Sequence, residues 1–328
     1  MGAPVRTAFL GAGMVAEVHR QALEQVPELE LTAVFDPDEA LLRRRAADWD
    51  VAPRSSVSEV LEDPDIDAVH VLAPSELHAE LATRAMAAGK HTLVEKPVST
   101  TAGIEELLVA SKEHDRICMP GHNYAYQPEF TRIRDLVRSP DRPLGEIRSA
   151  WVTYAIQHPE DIASRYSGVL DEVMVHHSYL AVALFGEPDW LIAGKDGHGW
   201  EQHDEEDQAW MTWRYQGRRS VHLFASFAVD DPTGTSSMFS VKVLGTNGAA
   251  SYNWADAVFQ RALGSLTFGI PAYEETYVHE NRAFAAACSG DRDRIVSPLE
   301  DALTVARLAE HAQRSATTGT PWTPGAAR

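Results

Sequence analysis

Val5-Arg6-Thr7-Ala8-Phe9-Leu10-Gly11-Ala12-Gly13-Met14-Val15-Ala16 opens on a short apolar strand pattern, breaks at two glycines and continues as a helical pattern to Val26. Strand, glycine turn and helix is the order that holds a dinucleotide pyrophosphate. The glycines let backbone approach the phosphates, and the helix N-terminus complements their charge. The G-x-G-x-x-G/A spacing alone is weak, so the flanking sequence decides its meaning. Glu30 to Phe35 reads as a second strand ending at Asp36, twenty residues beyond Ala16. A carboxylate there grips a ribose 2'-hydroxyl and repels a 2'-phosphate, so NAD is expected over NADP. Asp36 in Asp36-Pro37-Asp38 also suits a turn or helix N-cap, and the two roles are compatible. Arg43, Arg44 and Arg45 follow within reach of a phosphate and keep NADP as the lesser alternative.

Outward from this unit the alternation continues. Ala68 to Leu72, His91 to Val94 and Ile117 to Met119 read as strands, with helical patterns over Glu76 to Ala88 and Thr101 to His114 between them. Strands separated by helices of ten or more residues predict a parallel, doubly wound sheet, and such sheets bind ligands beyond the carboxyl ends of their strands. Gly11, Asp36, Ala73-Pro74, Glu95-Lys96 and Gly121-His122-Asn123 all fall at those ends. Lys96 stands out among them. It lies between a carboxylate and Pro97, and a proline restricts the residue before it, so the ammonium is expected to be directed rather than mobile. A solvated loop lysine is the plain alternative, which the shared strand edge outweighs.

Composition sets the outer limits. A chain of 328 residues predicts two domains, and a net charge of -19 argues against nucleic acid and anionic membrane surfaces as partners. No apolar run approaches a bilayer span, and Met1-Gly2-Ala3-Pro4 lacks the basic region of an export signal, so a cytoplasmic protein is expected. The two cysteines, Cys118 and Cys288, suit a reducing compartment rather than a disulfide framework. Histidine spacing matches no H-E-x-x-H or paired C-x-x-C site, and no catalytic metal is expected. The acidic run Asp204-Glu205-Glu206-Asp207 reads as a solvated loop.

Gly11-Ala12-Gly13 with Asp36, Ala73-Pro74-Ser75 with His78, Glu95-Lys96-Pro97 and Gly121-His122-Asn123-Tyr124 together resemble the Gfo/Idh/MocA family, named for glucose-fructose oxidoreductase, inositol dehydrogenase and rhizopine catabolism. Leu144-Gly145-Glu146-Ile147, Val243 to Gly248 and Ser297 to Ala302 extend the resemblance over nearly the whole chain. It implies an α/β protein: an N-terminal Rossmann doubly wound parallel sheet over residues 1–122, then a C-terminal α/β domain with a large, mostly antiparallel open sheet over 123–328. It also implies an NAD(P)-dependent oxidoreductase of a sugar or polyol. Gly11, Gly13, Met14, Val15, Asp36, Ala73, Pro74, His78, Glu95, Lys96 and Asn123 are the implied cofactor contacts.

In the second half Arg148 to Tyr154, Gln208 to Tyr215, Ser220 to Val229 and Ser237 to Leu244 read as strands rich in β-branched and aromatic residues. Apolar residues on both faces predict helices on one face and another subunit on the other, hence a homo-oligomer, dimer or tetramer. Gly168 to His177, read as one helix through Phe185, sets Glu172 and His176 four residues apart on one face, so the carboxylate can orient the imidazole. The family pattern of Asp, His four residues on and Asp three after that is held here by Glu172, His176 and Tyr179. His177 lies about 100 degrees around the helix from His176, so one of the pair is expected to be structural.

The expected chemistry is hydride transfer from a secondary alcohol to nicotinamide. His176 takes the hydroxyl proton, Lys96 stabilises the developing oxyanion and Glu172 holds the imidazole. Family members often carry an arginine pair near the places of Tyr124 and Ala125, which implies a neutral sugar, inositol or glycoside here. Tyr124, His158, Arg165 and Tyr166 join Lys96, His176 and His177 as candidate substrate contacts. Two alternatives remain: an NAD-retaining enzyme that cleaves a glycoside through transient oxidation, and a non-catalytic NAD- or sugar-binding protein.

Overall fold

A computed structural model describes residues 3–157, 168–197, 206–216, 218–229, 239–254, 261–262, 265–266 and 271–325. The chain divides into two compact units, Met1–Tyr126 with Tyr273–Leu303, and Gln127–Ala272 with Thr304–Arg328.

The first unit alternates strand and helix: β1 (Val5–Leu10), α1 (Met14–Leu23), β2 (Leu29–Phe35), α2 (Glu39–Trp49), β3 (Ala52–Pro53), α3 (Val57–Glu62), β4 (Ala68–Val71), α4 (His78–Ala87), β5 (His91–Val94), α5 (Thr101–Glu113) and β6 (Cys118–Pro120). Its six strands are all parallel, in the order β3-β2-β1-β4-β5-β6. The order reverses between β1 and β4, so the loops after those strands diverge and leave a gap at the carboxyl edge. Burial on both faces explains the unbroken apolar runs: Ala8, Phe9, Leu10, Val69, Val71, Leu93 and Val94 are all sealed from solvent. The sequence also signals where its helices begin. Asp38 caps α2 by accepting from Ala40 N and Leu41 N, Ser56 caps α3 from Glu59 N, and Thr100 caps α5 from Gly103 N.

The second unit contains α6 (Pro128–Arg138), β7 (Ile147–Ala155), α7 (Val169–Glu172), α8 (Met174–Phe185), β8 (Trp190–Asp196), β9 (Gln208–Tyr215), β10 (Arg219–Ser226), β11 (Phe239–Gly245) and β12 (Ala249–Asn253). They form a six-stranded sheet in the order β12-β11-β7-β10-β9-β8, antiparallel except where β7 and β10 run together. Alternate residues separate its faces. Ala150, Val152, Leu191, Met211, Trp213, Val221, Leu223 and Val241 are buried, on the side where α8 packs against β7 and β10. Between them Trp151, Ile192, His222 and Phe224 are half-buried, and Trp210 is 38% exposed. Edge strand β8 is closed by Trp322, whose backbone exchanges two hydrogen bonds with Leu191.

The chain ends with α9 (Pro271–Cys288) and α10 (Leu299–Thr318). Most of α9 belongs to the first unit, which the expected single boundary at residue 122 did not anticipate. The cause is a polar and aromatic stripe. Asn281 Oδ1 lies 2.7 Å from His70 Nε2, Phe284 packs edge-on to His70 at 5.3 Å, and Thr276 Oγ1 accepts from Asn123 Nδ2 at 2.8 Å.

The acidic run needs correction where it is described. Glu206 and Asp207 are buried rather than solvated. Glu206 Oε1 accepts from Leu170 N at 3.0 Å and Oε2 from Lys195 Nζ at 3.2 Å, so an ion pair and a helix start offset its desolvation. Gly168 makes room for it: a Cβ there would lie 2.5 Å from that carboxylate.

Candidate functional site

At the carboxyl edge of the parallel sheet, Gly11 has φ +115°, and a Cβ on it would lie 2.5 Å from the carbonyl oxygen of Leu72. Only glycine lets β1 turn that close to the end of β4. Gly13 is the N-cap of α1 without a side-chain cap, and a Cβ built there meets nothing within 4 Å. The turn is open on this side of Gly13, with Met14 67% exposed beside it. Asp36 closes the turn: Oδ2 accepts from Ala12 N at 2.9 Å and Oδ1 from Asp38 N at 2.9 Å. Of the roles read from the sequence for Asp36, the structure shows the turn former, while the helix N-cap is Asp38.

Two of the three arginines downstream are engaged elsewhere. Arg45 Nη1 pairs with Glu17 Oε2 at 2.6 Å and its guanidinium covers Trp49, while Arg43 pairs with Glu39 on the same helix. The open glycine turn, the helix N-terminus and Asp36 fit an adenine dinucleotide without a 2'-phosphate.

The loops after β4 and β5 are tied together by His78, which sequence resemblance had placed against the cofactor. The ring is buried, with Nε2 2.7 Å from the Ala73 carbonyl and Nδ1 3.0 Å from the Pro97 carbonyl. It fixes the backbone on which Ala73, Pro74 and Lys96 sit. Glu95 acts inward in the same way: it is buried, its Oε2 accepts from Lys96 N at 2.7 Å and its Oε1 lies 3.4 Å from His19 Nε2. Gly121 permits the approach of β6, since a Cβ there would lie 3.0 Å from Glu95 Cα. Lys96 leaves this anchored loop half-buried, and the Lys96-Pro97 peptide is cis.

Behind the loop lies a buried polar cluster that the sequence reading missed. His19 Nδ1 lies 3.2 Å from Asn281 Nδ2, and the Tyr277 hydroxyl lies 2.9 Å from that of Tyr273. Burial pushes His70 down to about 3, with His19 adding to the shift and Asn281 opposing it, and burial alone takes His122 down to about 3. Burial, then the nearby Glu95 charge, raises Glu280 well above the ordinary carboxylate range. Neither Glu280 oxygen has a hydrogen-bond partner among the described residues. The available signal was a histidine and an asparagine at helical spacing from apolar residues, which sequence alone does not separate from surface positions. Asn123 and Tyr124 also turn inward, Asn123 to Thr276 and Tyr124 edge-on to Tyr273 at 6.3 Å.

In the second unit, the single helix expected through His176 is two helices. Val173 is a turn between α7 and α8, with φ -105° and ψ -42°. Glu172 therefore ends one helix and His176 stands in the first turn of the next, with Val173 between them still in the right-handed helical region. His176 Nδ1 lies 2.8 Å from the hydroxyl of Tyr179, both residues being buried. His177 is sealed in the core, its Nδ1 3.2 Å from the Val173 carbonyl and its ring edge-on to Phe239. Burial takes it down to about 4 against the opposing pull of the Val173 and Phe224 carbonyls. That is the environment of a structural histidine. His158, Arg165 and Tyr166 lie outside the described residues.

Residues 5–122 match the oxidoreductase family described as an NAD-binding Rossmann fold, and residues 130–251 match the GFO/IDH/MocA C-terminal domain. The chain belongs to the Gfo/Idh/MocA oxidoreductase family.

Membership makes it an NAD-binding, NAD(P)-dependent oxidoreductase built on a parallel and a mostly antiparallel sheet. Among Gfo/Idh/MocA relatives, a dTDP-3,4-didehydro-2,6-dideoxy-alpha-D-glucose 3-reductase of Saccharopolyspora spinosa is 33% identical over 69% of this chain and 70% of the relative. An inositol 2-dehydrogenase of Rhizobium meliloti is 25% identical over 95% of this chain and 96% of the relative. The crystal structure of GenD2 from gentamicin A biosynthesis, solved with NAD, has the same fold at a TM-score of 0.84 and 23% identity, covering 99% of this chain and 98% of that one.

Proposed function

We propose that this Gfo/Idh/MocA protein moves a hydride between a secondary alcohol of a sugar, inositol or glycoside and the nicotinamide of NAD. The observation that carries the reading is the placement of Lys96 in the first unit. It stands on a loop pinned by Glu95 and His78, on the same strand edge as the open glycine turn and Asp36. The substrate class is supported by the relatives, an inositol 2-dehydrogenase and a dTDP-3,4-didehydro-2,6-dideoxy-alpha-D-glucose 3-reductase.

Gly11, Gly13, Met14, Val15, Asp36, Ala73 and Pro74 would hold NAD, which when bound supplies the hydride acceptor. The chain's own residues manage proton and charge. In the oxidative direction the Lys96 ammonium hydrogen-bonds the substrate oxygen and stabilises the negative charge that grows there. His176 receives the hydroxyl proton, with Glu172 as its acidic neighbour in sequence. Tyr124, His158, Arg165 and Tyr166 remain proposed hydroxyl contacts. The half-buried face of the antiparallel sheet is proposed to meet a second copy of the chain.

The test is a spectrophotometric screen of NAD reduction across inositols, aldoses and glycosides at alkaline pH. NADH should accumulate with at least one neutral polyol or sugar, and with NADP much less. Product formation without NADH would instead support transient oxidation, and binding with no product at all would remove the enzymatic reading.

A further inference from the structure

A histidine that accepts a proton on one ring nitrogen must carry its existing proton on the other. In His176 the Nδ1 side is occupied: the Tyr179 hydroxyl lies 2.8 Å away, three residues along α8, and the two rings meet edge-on at 5.5 Å. Tyr179 is fully buried and His176 nearly so, 0% and 8% exposed, so the contact is held inside the protein. Its backbone is inside a regular helix, and an i, i+3 pair on a helix is held in register by the helix itself.

We propose that Tyr179 is the positioning residue of His176: its phenol oxygen accepts the Nδ1 proton, fixes the tautomer with the lone pair on Nε2 and aims that nitrogen at the alcohol. The inference rests on the reading of His176 as the base. No atom is transferred between the two side chains. When Nε2 takes the hydroxyl proton the ring becomes an imidazolium, and Nδ1 continues to donate to the same oxygen. Tyr179 therefore works without forming a charge of its own. A carboxylate in its place would add a countercharge to the imidazolium, whereas the phenol supplies direction and a partial charge only.

Long-range nitrogen–proton NMR on the full-length protein labelled at histidine, with the His176 signals assigned by their loss in His176→Gln, reads the tautomer directly. The parent should show Nδ1 protonated and Nε2 unprotonated, with or without NAD. Tyr179→Phe, which keeps the ring and removes the acceptor, should lose that preference. Steady-state kinetics with NAD and the alcohol giving the highest signal in the screen above should then show kcat reduced about 10- to 100-fold. KM for NAD should stay within about twofold, a split that a general loss of structure would not produce. A parent His176 carrying its proton on Nε2 overturns the inference even if Tyr179→Phe does not fold. Loss of turnover in His176→Gln with parent-like kinetics in Tyr179→Phe also overturns it, while leaving His176 as the base. Undiminished turnover in His176→Gln removes the base reading, and the positioning role with it.

Discussion

Lys96, His176 and Asp36 each make a different experimental claim. Lys96→Ala removes the charge opposite a developing oxyanion and His176→Ala removes the proton acceptor, so turnover should fall roughly 100- to 10,000-fold in either. NAD binding, followed by quenching of tryptophan fluorescence, should persist, because neither side chain belongs to the glycine turn or to Asp36, which are proposed to hold the dinucleotide. Asp36→Ser should raise KM for NAD and bring NADP use closer to it, since the carboxylate that repels a 2'-phosphate is gone. An unchanged NAD to NADP ratio would mean that another group selects the cofactor. Much of this edge was legible in sequence because its residue types answer strict demands: Gly11 at φ +115° against the Leu72 carbonyl admits no side chain. The loop anchors were less legible. His78 and Glu95 carry side chains suited to ligand contact, yet each is spent on backbone or on a buried histidine.

Helices and strands show the same division between local and distant causes. The N-terminal alternation follows from patterns within about ten residues, and its caps are written in the sequence at Asp38, Ser56 and Thr100. Asp38→Ala should therefore destabilise the first unit by about 1 kcal/mol, read as a lower denaturation midpoint at unchanged slope. A change below a few tenths would show that tertiary packing, rather than the two capping bonds, holds the start of α2. The break between α7 and α8 had no such signal. Glu172-Val173-Met174 contains neither Gly nor Pro, and Gly168, at φ +120°, takes its conformation next to a Glu206 carboxylate almost forty residues away. The return of α9 was hidden for a related reason. Its Asn281 and Thr276 suit a solvent-facing stripe, and contact with His19, His70 and Asn123 turns that stripe inward.

Across the whole molecule, two properties should be measurable without a substrate. The half-buried face of the antiparallel sheet, with Trp151 stacked on His222 at 5.4 Å and Trp210 38% exposed, is expected to be covered by a second copy. Sedimentation should give a dimer or larger, and Trp210→Glu should shift it toward monomer; a monomeric parent would end that expectation. The second property is a stability maximum in pH with opposite causes on its two sides. His70 and His122, held down to about 3, and His177, held down to about 4, stay neutral in the fold where an unfolded chain protonates near 6.5. Their contribution is complete above about pH 6.5 and is lost as the pH falls toward those values. Glu280 works in the other direction. Its acid form is favoured by burial and by Glu95, so its contribution is complete below the ordinary carboxylate value and is lost as the pH rises from there. Glu280→Gln, which keeps the shape and cannot ionise, should leave Tm nearly unchanged at pH 4.5 and raise it at pH 8. Circular dichroism melts at the two pH values decide it: parallel curves for parent and variant would show that Glu280 is ionised in the fold, with the buried cluster supplying its countercharge.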